Sequence, residues 1–221
     1  MKAAAMPTAA VLRMRRMRAR KSEATTPLLY ERADWKLFLD PLTLPQKAGC
    51  EPDQIGRVII KEVVDNALDN GASEVSLSGD DRHCTISDNG PGLSEKTLLQ
   101  VFAVNRPLLS SKFVRLPTRG MLGNGLRVLM GAVAAYRGTI TLTSRGQTYE
   151  LSTDSLTGAT NLLSKSPAPE QPGPTVTITF PRSHFTYTDF HYGRLTIRLA
   201  QDGEPYRGHS QPNWYSEEAL C

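Results

Sequence analysis

Hydrophobic side chains recur every fourth position at Ile55, Ile59 and Val63, with Val58 beside them, a stripe that predicts one amphipathic helix. Gly71 stands where a helix C′ glycine is expected. The period then shortens to two. Val75 and Leu77 alternate with polar residues, Gly79-Asp80-Asp81 turns the chain, and Cys84 and Ile86 alternate again, so two short strands are predicted. Asp88-Asn89-Gly90-Pro91-Gly92 breaks the second strand, and Ser94 is the expected N-cap of a short helix running towards Phe102. Asn105 to Arg119 is polar, basic and proline-interrupted, which reads as a long loop, and a further helix starts near Asn124 with Leu126, Leu129, Val133 and Tyr136. Thr139 to Ser144 and Thr148 to Leu151 read as strands around Arg145-Gly146, Ser152 to Pro174 as loop, and Thr175 to Phe180 as a last β-branched strand. The remainder has weak pattern, and no internal repeat is evident. This order predicts an α+β fold: a two-layer α/β sandwich with helices on one face of a mixed, mostly antiparallel sheet.

Composition adds the boundaries. At 221 residues the chain fits one sizeable domain plus tails, and a hydrophobic fraction of 39% implies that some length is unpacked. The expected division is a basic, disordered tail over residues 1–27, a folded domain over 28–181 and a C-terminal extension over 182–221. The net charge is +4, and Arg13, Arg15, Arg16, Arg18, Arg20 and Lys21 crowd the first segment with no acidic residue before Glu23. That stretch reads as a solvated tail, as an aid to nucleic-acid contact, or as an acid-poor transit segment short of serine. No apolar run approaches the roughly 20 residues that a membrane-spanning helix needs, so no membrane partner is expected. The three cysteines, Cys50, Cys84 and Cys221, lack metal-ligand spacing, and their odd number argues against a disulfide framework, so a cytoplasmic setting is expected.

Three constellations carry candidate chemistry. In Lys61-Glu62-Val63-Val64-Asp65-Asn66-Ala67, Glu62 and Asn66 lie one helical turn apart, on a face adjoining the apolar stripe. An ordinary amphipathic helix gives the same pattern, but polar residues crowded against a core stripe also suit a cavity wall. Asp88 follows Cys84 and Ile86 at a spacing of two, so it points to the core side and needs a donor such as the amino group of a flat ligand. Gly90 and Gly92 then remove side chains just beyond it. Arg119-Gly120-Met121-Leu122-Gly123-Asn124-Gly125 precedes a helix, where free N–H groups and the positive dipole end suit phosphate. Each of the last two patterns alone is common in plain turns and loops.

Taken in order, Glu-x-x-x-Asn-Ala, Asp-x-Gly-x-Gly and Gly-x-x-Gly-x-Gly resemble the signature of the ATP-binding superfamily of gyrase, heat-shock chaperone, histidine kinase and MutL proteins, whose fold is called the Bergerat fold. Lys61 to Gly71 is similar to MutL proteins, and Ser111-Lys112-Phe113 with Arg119-Gly120 and Gly123-x-Gly125 is similar to the B-subunit of topoisomerase VI. The resemblance covers roughly Gln54 to Phe180. It implies that Asp88 accepts from the adenine amino group, that Asn66 holds Mg²⁺, and that Gly120, Leu122, Gly123, Asn124 and Gly125 wrap the phosphates of ATP. Ser111 and Lys112 contribute from a lid, and Glu62 activates the attacking water.

The presence of Glu62 favours the hydrolytic branch over the histidine kinases, which typically lack it. Where that branch usually carries Gly-Thr at the last strand, this chain has Gly173-Pro174-Thr175, so either Thr175 takes over the adenine contact by a one-residue shift or the contact is lost. The branch also relies on a lysine from a following transducer domain, and the roughly forty residues after Phe180 are few for one. The resemblance therefore implies a fragment or a partner subunit supplying that lysine, with slow or absent turnover by this chain alone. The expected function is an ATP-driven dimerising clamp working with a DNA-processing partner, with possible DNA contact. The alternatives are a non-hydrolysing nucleotide-dependent module and a histidine-kinase-type phosphotransferase.

Overall fold

A computed structural model describes residues 33–106 and 124–201. After a short 3₁₀ turn at Asp34–Phe38, the helices are α1 (Leu44–Ala48), α2 (Ile55–Asp69), α3 (Glu95–Val101), α4 (Gly125–Ala135) and α5 (Tyr187–Gln201). The strands are β1 (Val75–Gly79), β2 (His83–Asp88), β3 (Thr139–Ser144), β4 (Gln147–Thr153), β5 (Thr160–Pro167) and β6 (Thr175–Thr179). They form one sheet in the order β1-β2-β6-β3-β4-β5, and every pairing in it is antiparallel. The expected two-layer α+β sandwich is therefore found, with a sheet antiparallel throughout.

Register explains why one face takes all the helices. Leu77, Ile86, Val176, Leu142 and Tyr149 lie side by side across five strands, and Cys84, Ile178, Ile140 and Leu151 form the next row. From Ile86 and Cys84 onward these residues are buried, and α2 and α4 supply Val58, Ile59, Val63, Leu129 and Val133 against them. The intervening rows are hydroxylic: Ser78, Thr85, Thr177 and Thr141 in one, and Ser76, Ser87, Thr175, Thr143, Thr148 and Ser166 in the other. Their hydroxyls bond sideways, Thr85 Oγ1 to Thr177 Oγ1 at 3.2 Å and Thr143 Oγ1 to Thr148 Oγ1 at 2.8 Å. A period of two thus divides the sheet into an apolar face that needs helices and a polar face that does not.

Two elements differ from the sequence reading. Strand β5 occupies part of the segment expected to be loop. It is a sheet edge, largely exposed, and a bulge opposite Glu150 and Leu151 of β4 leaves Leu163 as an extra, unpaired residue in β5, which breaks the alternation. Helix α5 lies within 182–201, where the sequence pattern is weak. It packs on α2 and β1, burying Phe190, Tyr192, Thr196, Ile197 and the carboxylate of Asp189. That carboxylate accepts from Arg57 Nε at 3.1 Å and from the Thr186 N–H at 2.9 Å, while the Arg57 guanidinium lies 4.6 Å from the Tyr192 ring centroid. Gly193 lets the two helices close, since a Cβ there would lie 2.7 Å from Ile60, and Gly56 admits the segment before α5, where a Cβ would strike the His184 carbonyl.

Arg57→Met is expected to destabilise the fold by about 3 kcal/mol, because it strands a buried carboxylate. Urea denaturation measures this, and an unchanged midpoint would show that the ion pair contributes nothing net. The residues 1–27 lie outside the described residues. No helix among the described residues is long and apolar enough to cross a membrane. Cys50 and Cys84 are free thiols, and burial pushes Cys84 up to about 12, which makes it a poor nucleophile at neutral pH.

Candidate functional site

Helix α2 sets the floor of the site. Its apolar stripe is pinned to the sheet, so the residues flanking the stripe, Glu62 and Asn66, are held half-buried at the edge of the core. Lys61 reaches along the same helix, with Nζ 2.9 Å from Asp65 Oδ2 and 3.4 Å from Glu62 Oε1. One oxygen of Glu62 is therefore steered by a cation. The other faces the start of α4: a Cβ built on Gly125 would collide with Glu62 Oε2 and sit 2.9 Å from its Cδ. The first sequence constellation and the last residue of the third are thus in van der Waals contact, across 63 positions of chain in the numbering of the two residues, 62 and 125.

Asp88 ends β2 on the apolar side of the sheet, and α2 packs against that strand. Burial pushes its carboxyl above the usual aspartate range, opposed by the hydrogen bond that the Gly90 N–H donates to Oδ1 at 2.7 Å. A half-buried acid with one donor retains acceptor capacity for a ligand N–H. The loop around it is rigidly built. Asn89 Oδ1 accepts from the Ser73 and Glu74 N–H groups at 3.0 and 3.1 Å, and the Asp88 N–H donates to the Pro174 carbonyl at 3.1 Å. Gly173 lies so close that a Cβ there would strike the Asp88 carbonyl.

The two glycines after Asp88 have reasons inside the protein. A Cβ on Gly90 would lie 2.7 Å from Asp88 Oδ1, so glycine here permits the turn that presents the acid. Gly92 has φ +68°, and its Cβ would lie 2.6 Å from Ser144 Oγ. That buried hydroxyl accepts from the Leu93 N–H at 2.9 Å, which fixes the entry to α3. Ser94 then caps α3 as expected, accepting from the Thr97 N–H at 3.3 Å.

The Thr175 hydroxyl points away from the Asp88 carboxylate. It pairs with Ser87 on the hydroxyl face, its Oγ1 2.8 Å from Ser87 Oγ and 3.0 Å from Gln171 Nε2. Asp88 is one residue further along β2 and points to the opposite face, so a one-residue shift carries Thr175 away from the acid. The alternation of Val176 and Ile178, both buried, already contained that signal. A shallow cavity of about 400 Å³ at the end of β2 is lined by Ser76, Ser87, Gln171 and Thr175 and also by Asp88, Asn89 and Gly173.

At the other end of the site, Asn124 precedes α4 with its Oδ1 buried and without a hydrogen-bond donor among the described residues. Arg127, in the first turn of α4, belongs to none of the three sequence constellations. It is buried, its guanidinium 5.8 Å from the Phe38 ring centroid and its Nε without an acceptor among the described residues. Burial lowers its pKa, and also that of Arg106, which the Arg127 charge lowers further. Ser111, Lys112, Gly120, Leu122 and Gly123 lie outside the described residues. Glu62 and Gly125 meet at the start of α4, and Asp88 ends β2, the strand against which α2 packs.

Residues 51–184 match the family model described as histidine kinase-, DNA gyrase B- and HSP90-like ATPase. Among solved structures, the ATPase region of Saccharomyces cerevisiae topoisomerase II is similar over 60% of this chain and 38% of that one, at 16% identity and a TM-score of 0.38. The N-terminal domain of a DNA repair protein is similar over 67% and 44%, at 14% identity and a TM-score of 0.32. The B-subunit of the DNA gyrase from Myxococcus xanthus is similar over 66% and 42%, at 14% identity and a TM-score of 0.35. The chain spans less than half the length of each of these structures. No curated protein matches it.

Proposed function

The chain belongs to the histidine kinase-, DNA gyrase B- and HSP90-like ATPase family, and we propose that it binds Mg-ATP between α2, the end of β2 and the start of α4, as the nucleotide-driven clamp of a DNA-processing assembly. The observation that carries this reading is the contact between Glu62 and Gly125, which sets a carboxylate against the helix start that follows the glycine motif. Asp88 accepts a hydrogen bond from the adenine amino group. The N-terminal N–H groups of α4, whose first four have no partner within the helix, face the phosphates. Asn66 offers an amide oxygen to Mg²⁺, and the donor set fits: this ion takes few protein ligands beside phosphate oxygens and water. Bound there, the ion neutralises phosphate charge. The orphaned Asn124 Oδ1 accepts from a ligand hydroxyl or an ordered water.

For hydrolysis, Glu62 takes the proton of a water that adds to the γ-phosphorus as the bond to the β,γ-bridging oxygen breaks. Lys61 beside Glu62 favours a second reading, in which the carboxylate stays paired and the chain works as a nucleotide-dependent switch without turnover. A lysine from a partner subunit completes the site in the first reading. ATP is also expected to favour a closed dimer, since a nucleotide that binds one conformation better shifts the population towards it.

Calorimetric titration with ATP and GTP in the presence of Mg²⁺ tests the assignment. ATP should bind and GTP should not, because guanine sets a carbonyl oxygen against the Asp88 carboxylate. Equal affinity for both would remove Asp88 from base recognition, and no binding of either would refute the function. Sedimentation with a non-hydrolysable ATP analogue then reports the dimer, and phosphate release separates the enzyme from the switch.

A further inference from the structure

Helix α5 carries a second feature, independent of the nucleotide site. Its inward side holds Asp189, Phe190, Tyr192, Thr196 and Ile197, all buried. Tyr187, His191, Arg194 and Arg198 follow at intervals of four, three and four residues, so they share one outward line, about 16 Å long at the α-helical rise. All four are exposed, Tyr187 by 80%. The Tyr187 and His191 rings stack with centroids 6.4 Å apart, and the Arg194 guanidinium lies 5.8 Å from the Phe190 ring centroid, leaning on the helix's own core side chain.

The sign of this line is uniform. Asp189 is the only acidic residue of α5, and it is buried against Arg57. Neither Arg194 nor Arg198 has a carboxylate partner among the described residues, whereas Arg57, Lys61 and Lys165 are all paired. Exposed arginines a turn apart on a rigid helix, with no acid between them, form a straight track of positive charge.

We propose that this track docks on the phosphate backbone of duplex DNA. The complementarity is electrostatic: a duplex presents about one negative charge per 1.7 Å of axis, and a helix with aligned arginines meets it without rearrangement. A membrane surface fits poorly, because a helix lying in lipid must offer an apolar face and that of α5 is committed to the core. An acidic protein fits less well too, since the line has no concavity and Tyr187 is its one large anchor. Arg194 and Arg198 contact phosphates, and Tyr187 and His191 lie along the sugar edge.

The test uses the full chain, a labelled 20-base-pair duplex and fluorescence anisotropy from about 50 to 200 mM salt. Arg194→Gln/Arg198→Gln is compared with Lys47→Gln/Lys96→Gln, which removes equal charge from exposed positions elsewhere. The α5 double variant should bind about tenfold more weakly at 100 mM salt and lose about two units of log–log salt slope. The control should match the wild-type chain. Thermal unfolding and ATP affinity should be the same for all three, which keeps this result apart from the fate of the nucleotide site. No duplex binding by the wild-type chain, equal losses in both double variants, or tighter binding to phosphatidylserine vesicles than to duplex would each overturn the proposal.

Discussion

Asp88→Asn is expected to lower ATP affinity by about 10²-fold while raising the thermal stability of the nucleotide-free chain. The two effects have one cause. A ligand N–H bonded to a half-buried carboxylate contributes a charge-assisted hydrogen bond, roughly 1.5–3 kcal/mol. An asparagine can turn a donor towards that same N–H. Without ligand the balance reverses: burial holds the Asp88 carboxyl above the ordinary aspartate range, so the folded chain binds this proton more tightly than the unfolded chain does. Its contribution to stability is then greatest below the ordinary aspartate pKa and is lost as pH rises through the raised value. At neutral pH the wild-type chain bears that cost and the amide does not. Water still reaches the group, so the gain is small, on the order of 1 °C. ATP affinity should fall on acidification, since protonation removes the charge that strengthens the Asp88 acceptor. Calorimetry and thermal scans on both proteins decide the matter, and an Asp88→Asn chain that binds ATP like the wild type would sink the role given to this residue.

Gly125→Ala is expected to separate stability from chemistry. The added methyl would overlap Glu62 Oε2 and crowd its Cδ. Those atoms end a flexible, half-exposed side chain, so the carboxylate can swing aside at little cost to the fold, below about 1 kcal/mol. The base is then displaced. Misplacing a catalytic group by about 1 Å costs roughly 10²-fold in rate, so phosphate release in an assembly that turns over should fall by that order. Melting temperature should stay within about 2 °C. Glu62→Ala provides the comparison: it should retain nucleotide and release no phosphate. If Gly125→Ala hydrolyses ATP at the wild-type rate, Glu62 does not act from the position seen here.

The legible part of this molecule was the part in which side-chain chemistry and backbone period agree. The stripe Ile55, Ile59 and Val63 gave α2, the alternation through Cys84 and Ile86 gave β2, and Ser94 gave the cap of α3, because each signal is local. Asp88 could be assigned to the inner face by counting in twos, and the same count places Thr175 outside. There the motif suggested a one-residue shift that pleating forbids. Strand β5 escaped because an edge strand that α3 covers only in part has little reason to alternate. Helix α5 escaped for a different reason. Its core side is built from Asp189, Gly193 and Thr196 as well as Phe190 and Tyr192, and it becomes an interior face only once Arg57 neutralises the acid. The buried position of Arg127 depends on the 3₁₀ turn at Asp34–Phe38, a long-range arrangement that no local window reports.

The row of Ser76, Ser87, Thr175, Thr143, Thr148 and Ser166 constrains what can attach to this domain from behind. With Ser87 bonded to Thr175 and Thr143 to Thr148, this row exposes methyl and methylene groups too sparse to form a dry seam. A body resting on that side meets a layer of ordered water, held by groups that gain little from exchanging it. Such a joint slides and tilts cheaply, whereas the helical side is locked by interdigitated side chains. Rigid coupling to any partner would therefore run through the helices and their loops, with the back of the sheet a lubricated surface.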